Sequence, residues 1–262
     1  GLRRQSAALR HTVGMCFLLA MAGLPAWRFV QFWLQPAVEV NNGILPAMTA
    51  PQISAVPGVF VQHSNGLAAW LSVLWLFGVA LMLLRHLGGL WWVGWLERRV
   101  FQPLSPEWQQ RVDALQRTLR ISRKVVVRVA DDVLVPFTAR LIRPVIWMPA
   151  SLLKRLPREQ IEALFAHELA HIRRLDWLWN GIQCGIESLL FFHPGVWWLS
   201  GRIREEREHA CDDLAVAACA DAIALAEALT ELARDRRHFP RLLLAADGGS
   251  LMNSITRLLS GK

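Results

Sequence analysis

Two long apolar stretches open the chain, and mixed helix-like and strand-like patterns follow them. The first, Thr12 to Leu34, sits behind Arg3, Arg4 and Arg10. About 20 apolar residues cross the hydrocarbon core of a bilayer, so this stretch can span, with Pro25 as a kink and Arg28 reaching the interface. A basic start before an apolar centre also suits a cleaved signal peptide. The second stretch makes the protein membranous on either reading: Leu67 to Leu84 carries no charge and stops at Arg85-His86. Trp91, Trp92 and Trp95, followed by Arg98 and Arg99, read as an interfacial belt.

Between these stretches, Gln35 to Gly66 holds one acid, Glu39, and no Lys or Arg, while both flanks carry arginines. The positive-inside bias therefore predicts this loop outside and both flanks in the cytoplasm. Beyond the belt, Ser105-Pro106 has the form of an N-cap with proline at the first helical position, and Trp108, Val112, Leu115 and Leu119 recur at helical spacing. The runs Val125-Val126-Val127 and Pro144-Val145-Ile146-Trp147 predict two short strands, with Val135 to Thr138 as an edge segment between them.

The organisation expected is a cytoplasmic start and transmembrane helix over 1–35, an extracytoplasmic loop over 36–66, and a second span over 67–84. An interfacial linker over 85–104, a catalytic domain over 105–220 and a helical tail over 221–262 complete it. Composition agrees with a membrane protein: 53% of residues are hydrophobic and 19% charged, below the roughly 25% of soluble domains. The net charge of +8 raises nucleic acid as a partner, but the arginines crowd the flanks of apolar runs and form no basic face interleaved with aromatics. Direct nucleic-acid binding is therefore not expected. Cys16, Cys184, Cys211 and Cys219 lack C-x-x-C spacing, so reduced structural thiols are expected, with Cys211 a small buried hydrophobe.

The strongest chemical signal is His167-Glu168-Leu169-Ala170-His171. Its helix has Pro157 at the start, Glu159 and Glu162 in the first turns and Arg173 and Arg174 at the end, matching the helix dipole. Ile161, Leu164, Phe165, Leu169 and Ile172 form its apolar stripe. Two imidazoles four residues apart stack on one helical face at a separation that one metal ion bridges. Glu168, offset by one residue, reaches a water there without being a ligand. With 8 His in 262 residues, roughly 0.01 accidental matches to H-E-x-x-H are expected.

Two histidines leave a zinc site one protein ligand short. The only dense source of candidates is Arg204 to Asp213. There, Glu208 with Asp212 at i+4 puts a ligand and an acceptor for a ligating imidazole on one face. Glu205 with His209 has the same spacing and is the runner-up. Glu205, Glu206 and Arg207 otherwise read as a solvated helix face, and His193, before Pro194, as a helix-end residue. Trp177 to Leu199 is apolar, but crossing the membrane there would part Glu208 from the histidines. Asn180, Gln183, Glu187 and the His193-Pro194-Gly195 break predict a helical hairpin instead.

Pro136-Phe137, Arg143 to Pro149, His167 to Asp176, His193-Pro194 with Trp197-Trp198, and Glu208 to Asp213 together resemble the integral-membrane metallopeptidases that include the BlaR and MecR β-lactam sensors. The resemblance covers residues 1–215. It implies an α+β, mainly helical chain: transmembrane helices plus a cytoplasmic gluzincin-like zinc metalloprotease domain with a small β-sheet, in a bacterial inner membrane. It implies Zn2+ held by His167, His171 and Glu208, with Glu168 as the base.

It also implies signalling proteolysis, in which the protease cleaves itself or a cytoplasmic transcriptional repressor. The expected partners are thus that protein substrate and the lipid bilayer, with a homodimer as one assembly to test. On the family plan a first span would precede Gly1, and a later span and a sensor would follow Lys262. The competing readings are a housekeeping membrane protease of the Ste24 or HtpX kind, which carries Gly where this chain has Ala170, and a non-catalytic transducer that uses zinc structurally.

Overall fold

The computed structural model describes residues 6–34, 59–96, 98, 101–140, 142–237 and 254–258. Two long helices lead, α1 (Ala7–Leu34) and α2 (Val59–Leu96). Within them Ala7–Arg28 and Trp70–Leu96 are long and apolar enough to cross a membrane. At 1.5 Å per residue these stretches measure about 33 and 40 Å, against a hydrocarbon core of about 30 Å. The apolar window of α2 is 0% buried, and Trp70, Leu71, Leu74 and Phe77 are all exposed. An apolar surface of that extent calls for lipid or another apolar partner.

Helix α2 is longer than the apolar pattern implied. No proline interrupts Arg85 to Leu96, so the helix continues through the tryptophans read as a belt and takes up most of the expected linker. Of the expected loop, 59–66 is helical and the remainder lies outside the described residues.

A four-stranded sheet follows, built from β1 (Gln102–Pro103), β2 (Val126–Ala130), β3 (Phe137–Ala139) and β4 (Val145–Pro149), with the helix α3 (Pro106–Thr118) between β1 and β2. The strand order is β1-β2-β4-β3. Strands β2 and β4 run parallel with Val126 opposite Val145, and β3 lies antiparallel at the edge with Thr138 opposite Ile146. The chain is thus α+β, mainly helical with a small mixed sheet, as expected. The edge segment forms β3, whereas β1 carried no readable signal.

Successive strand residues face opposite sides, and β4 uses both. Ile146 and Met148 enter a cluster with Val127, Leu164, Phe165 and Leu169. Val145 and Trp147 join Leu96, Ala130 and Ala139 on the other side. The sheet therefore has the metal-motif helix on one face and the end of α2 on the other.

After β4 come the helices α4 (Ala150–Arg155), α5 (Arg158–Arg174), α6 (Asp176–Leu189) and α7 (Pro194–Cys219). Helix α8 (Ala222–Arg237) follows them. Phe165, Ala166, Leu169 and Ala170 of α5 are fully buried, so this helix is the spine of the fold. The apolar run Trp177 to Leu199 is a hairpin, as expected, with His193 as the N-cap residue of α7.

Helix α7 binds two partners along its length. Its first half packs Val196 and Ile203 on Met15 and Leu18 of α1. Gly14 permits this approach, because a Cβ there would stand 2.8 Å from Ile203 Cγ1. Glu206 corrects the expectation of a solvated face: it is buried and bonds Arg10 Nε at 2.7 Å. Docking of α1 hides it, a tertiary effect the local charge pattern cannot show. Arg207 is likewise drawn inward, its side chain only 11% exposed.

Candidate metal centre

Helix α5 carries His167, Glu168 and His171, and α7 crosses it to bring Glu208 and Asp212. His167 Nε2 and His171 Nε2 lie 3.3 Å apart, and Glu208 Oε2 stands 3.7 Å from the first and 3.8 Å from the second. One donor atom from each of the three residues falls within 4.8 Å of the others. Two nitrogens each about 2.05 Å from a tetrahedral zinc would be about 3.3 Å apart, so the imidazole spacing fits such an ion.

The other ring nitrogens face carboxylates. Asp212 Oδ1 is 3.1 Å from His167 Nδ1, and Asp176 Oδ2 is 2.8 Å from His171 Nδ1. With each Nδ1 beside a carboxylate, Nε2 is the atom turned inward, the arrangement that fixes metal-binding imidazoles. Asp212 is fully buried and Asp176 nearly so. Burial disfavours charge on His167, yet the neighbouring carboxylates of Asp212 and Glu208 outweigh it and hold the imidazole pKa well above its ordinary value. Burial also opposes charge on Glu208, but His171 and His167 prevail and hold its carboxyl far below the usual range. The carboxylates and imidazoles of the centre thus stabilise opposite charges on one another.

Asp176 is the residue the sequence reading left without a role. It reaches His171 because Leu175 ends α5 in the left-handed conformation, φ 60°, which costs a non-glycine residue about 1–2 kcal/mol. The spacing H-E-x-x-H followed by an acid five residues on was the available signal. Asp176 also accepts from Cys211 Sγ at 3.1 Å. His171, Asp176 and Cys211 form a second donor group. Burial and the neighbouring Asp176 raise the Cys211 thiol well above its ordinary pKa, so in the metal-free chain the sulfur keeps its proton and donates to Asp176.

The runner-up pair does not enter either group. Glu205 bonds Arg202, and His209 Nδ1 faces Glu206 at 3.9 Å. Glu168 is buried and lines the same cleft as the imidazoles, a space of about 400 Å³ that also touches Thr138, Asn180 and Arg207. Its Oε2 accepts a hydrogen bond from Thr138 Oγ1 at 2.8 Å. Strand β3 thus forms one wall of the cleft.

Comparison with known proteins places the chain in a peptidase family. The chain belongs to the BlaR1 peptidase M56 family, whose model matches residues 30–238. It is also similar to the regulatory protein BlaR1 of Bacillus licheniformis, at 28% identity over 138 residues. Those residues are 53% of this chain and 23% of that protein, so the match spans about a quarter of the relative's length.

Proposed function

We propose that this chain is the zinc endopeptidase part of a membrane-bound signal transducer, with its catalytic domain, residues 105–220, on the cytoplasmic side. The observation that carries this is the convergence of His167, His171 and Glu208 beside a buried glutamate in one open cleft. His167, His171 and Glu208 would hold the ion, with Asp212 and Asp176 orienting the two rings. An ion held there would supply a water of lowered pKa, toward about 7, and a Lewis acid for the scissile carbonyl.

The protein's own part is proton transfer and alignment. Glu168 accepts a proton from the attacking water and delivers it to the leaving amine, work that contributes about 10²–10⁴ in rate. Among the described residues β3 is an edge strand, and its outer side offers backbone groups to which an extended substrate adds as a strand. The substrate is a protein, either this chain itself or a cytoplasmic repressor. Orientation follows from the arginines flanking the apolar stretches.

The test is chelator-sensitive self-cleavage of the purified chain in detergent, restored by added zinc. A chain that binds zinc and never cleaves would favour a non-catalytic transducer, which has no use for an acid at position 168.

Two further results are expected. Asp176→Asn and Asp212→Asn each weaken zinc binding by about 10–100-fold while leaving the ligands in place, measured by competition with a coloured chelator. Metal affinity also falls as pH drops. The raised pKa of His167 means that the metal-free chain holds a proton there through neutrality, and an incoming ion must displace it. Apparent affinity then drops by up to about tenfold per pH unit below that pKa, and binding releases about one proton per ion, read by calorimetry in buffers of different ionisation enthalpy.

A further inference from the structure

The cleft contains a contact that the family match and the metal site leave unexplained. Thr138 Oγ1 lies 2.8 Å from Glu168 Oε2 and 3.3 Å from the Glu168 carbonyl oxygen. A hydroxyl has one proton to donate, and the carboxylate is its closer acceptor. Glutamate has three side-chain torsions. A donor at Oε2 fixes the plane of the carboxylate and leaves Oε1 as the atom that takes a proton.

The strand that carries Thr138 is gripped from its other side. Alternation along β3 turns Phe137 away from α5, where its ring lies 6.2 Å from Trp147 at an interplanar angle of 15° and 6.0 Å from Trp92 of α2. Ala139 shares that side, in the cluster with Leu96, Val145 and Trp147. Neighbouring residues on a three-residue strand thus hold the acid of the cleft on one side and the end of an apolar helix on the other. The next strand inward, β4, is buried throughout, so β3 is pinned by its aromatic contacts and its pairing together.

We propose that Thr138 is a positioning residue for Glu168, and that α2 sets the position of Thr138 through the tilted ring contact of Trp92 with Phe137. This rests on the peptidase reading and extends it: the base of the reaction is aligned by an element attached to a membrane-type helix, so a displacement of α2 alters the rate without touching the metal ligands. A misplacement of about 1 Å in such a group costs about 10²-fold in rate.

The test uses the full chain in detergent, with the first-order rate of chelator-sensitive self-cleavage and the zinc content measured on the same samples. Thr138→Val is expected to slow cleavage by about 10²-fold with zinc still near one per chain, and Thr138→Ser, which keeps the hydroxyl, to stay within a few-fold of wild type. A merely structural role for Thr138 would not be rescued by serine in this way.

Trp92→Ala is expected to slow cleavage by about tenfold alone and by nothing further in the Thr138→Val background, because both changes act through one contact. Thr138→Val cleaving as fast as wild type overturns the positioning role. Independent, multiplying effects of the two changes overturn the route through α2. Wild-type chain that binds zinc and does not cleave overturns the peptidase reading, and this proposal falls with it.

Discussion

Glu168→Ala loses self-cleavage by about 10²–10⁴-fold, while zinc stays at one per chain. The two halves of this result separate the roles assigned in the cleft. Glu168 shares helix α5 with both imidazoles, yet its carboxylate bonds Thr138 on β3 rather than pointing into the three-residue donor group. Removing it takes away the group that moves the proton and leaves His167, His171 and Glu208 in place. Incubation of the purified variant, followed by gel analysis of fragments and elemental analysis for zinc, checks both halves. Cleavage at the wild-type rate would remove Glu168 from the mechanism, and loss of zinc would make it a ligand.

Replacement of a ligand has the opposite signature. His167→Ala, His171→Ala and Glu208→Ala each lose the metal on dialysis, and activity with it. Thermal stability also ceases to respond to added zinc. An ion that binds only the folded chain stabilises it by about 4 kcal/mol when present at about 1,000 times its dissociation constant, and that increment disappears in the three variants. The His167→Ala chain carries a further burden. It leaves Asp212, which is fully buried, without its imidazole neighbour, an arrangement that costs about 1–3 kcal/mol or more for a charged group. Glu205→Ala should do none of this, because Glu205 bonds Arg202 on the same helix. Differential scanning fluorimetry with and without zinc distinguishes the variants.

What could be read from the sequence follows a physical rule. Features set by one helix's periodicity were legible. The i, i+4 spacing of His167 and His171 turns directly into a shared face, and Glu208 with Asp212 repeats that spacing on α7. The hairpin break at His193-Pro194 and the N-terminal proline of α3 are local signals as well. Features set by contacts between distant elements were not. Asp176 returns to His171 only because Leu175 adopts a left-handed conformation, which leucine does not advertise as glycine would.

Glu206 looks solvated until α1 covers it with Arg10. The two-residue strand β1 is too short to leave a pattern, and the end of α2 lay beyond the charge at Arg85, where hydropathy alone stops and helix geometry does not. Thr138 was placed on an edge strand, but nothing in its neighbours along the chain pointed to Glu168, 30 residues away.

His167, His171 and Glu208 are expected to meet at one ion. X-ray absorption at the zinc edge of the purified chain addresses this directly. Two imidazole nitrogens and carboxylate or water oxygens at about 2.0–2.2 Å, with no sulfur, are the expected first neighbours. A sulfur neighbour at about 2.3 Å would place the metal among His171, Asp176 and Cys211 instead and contradict the assignment.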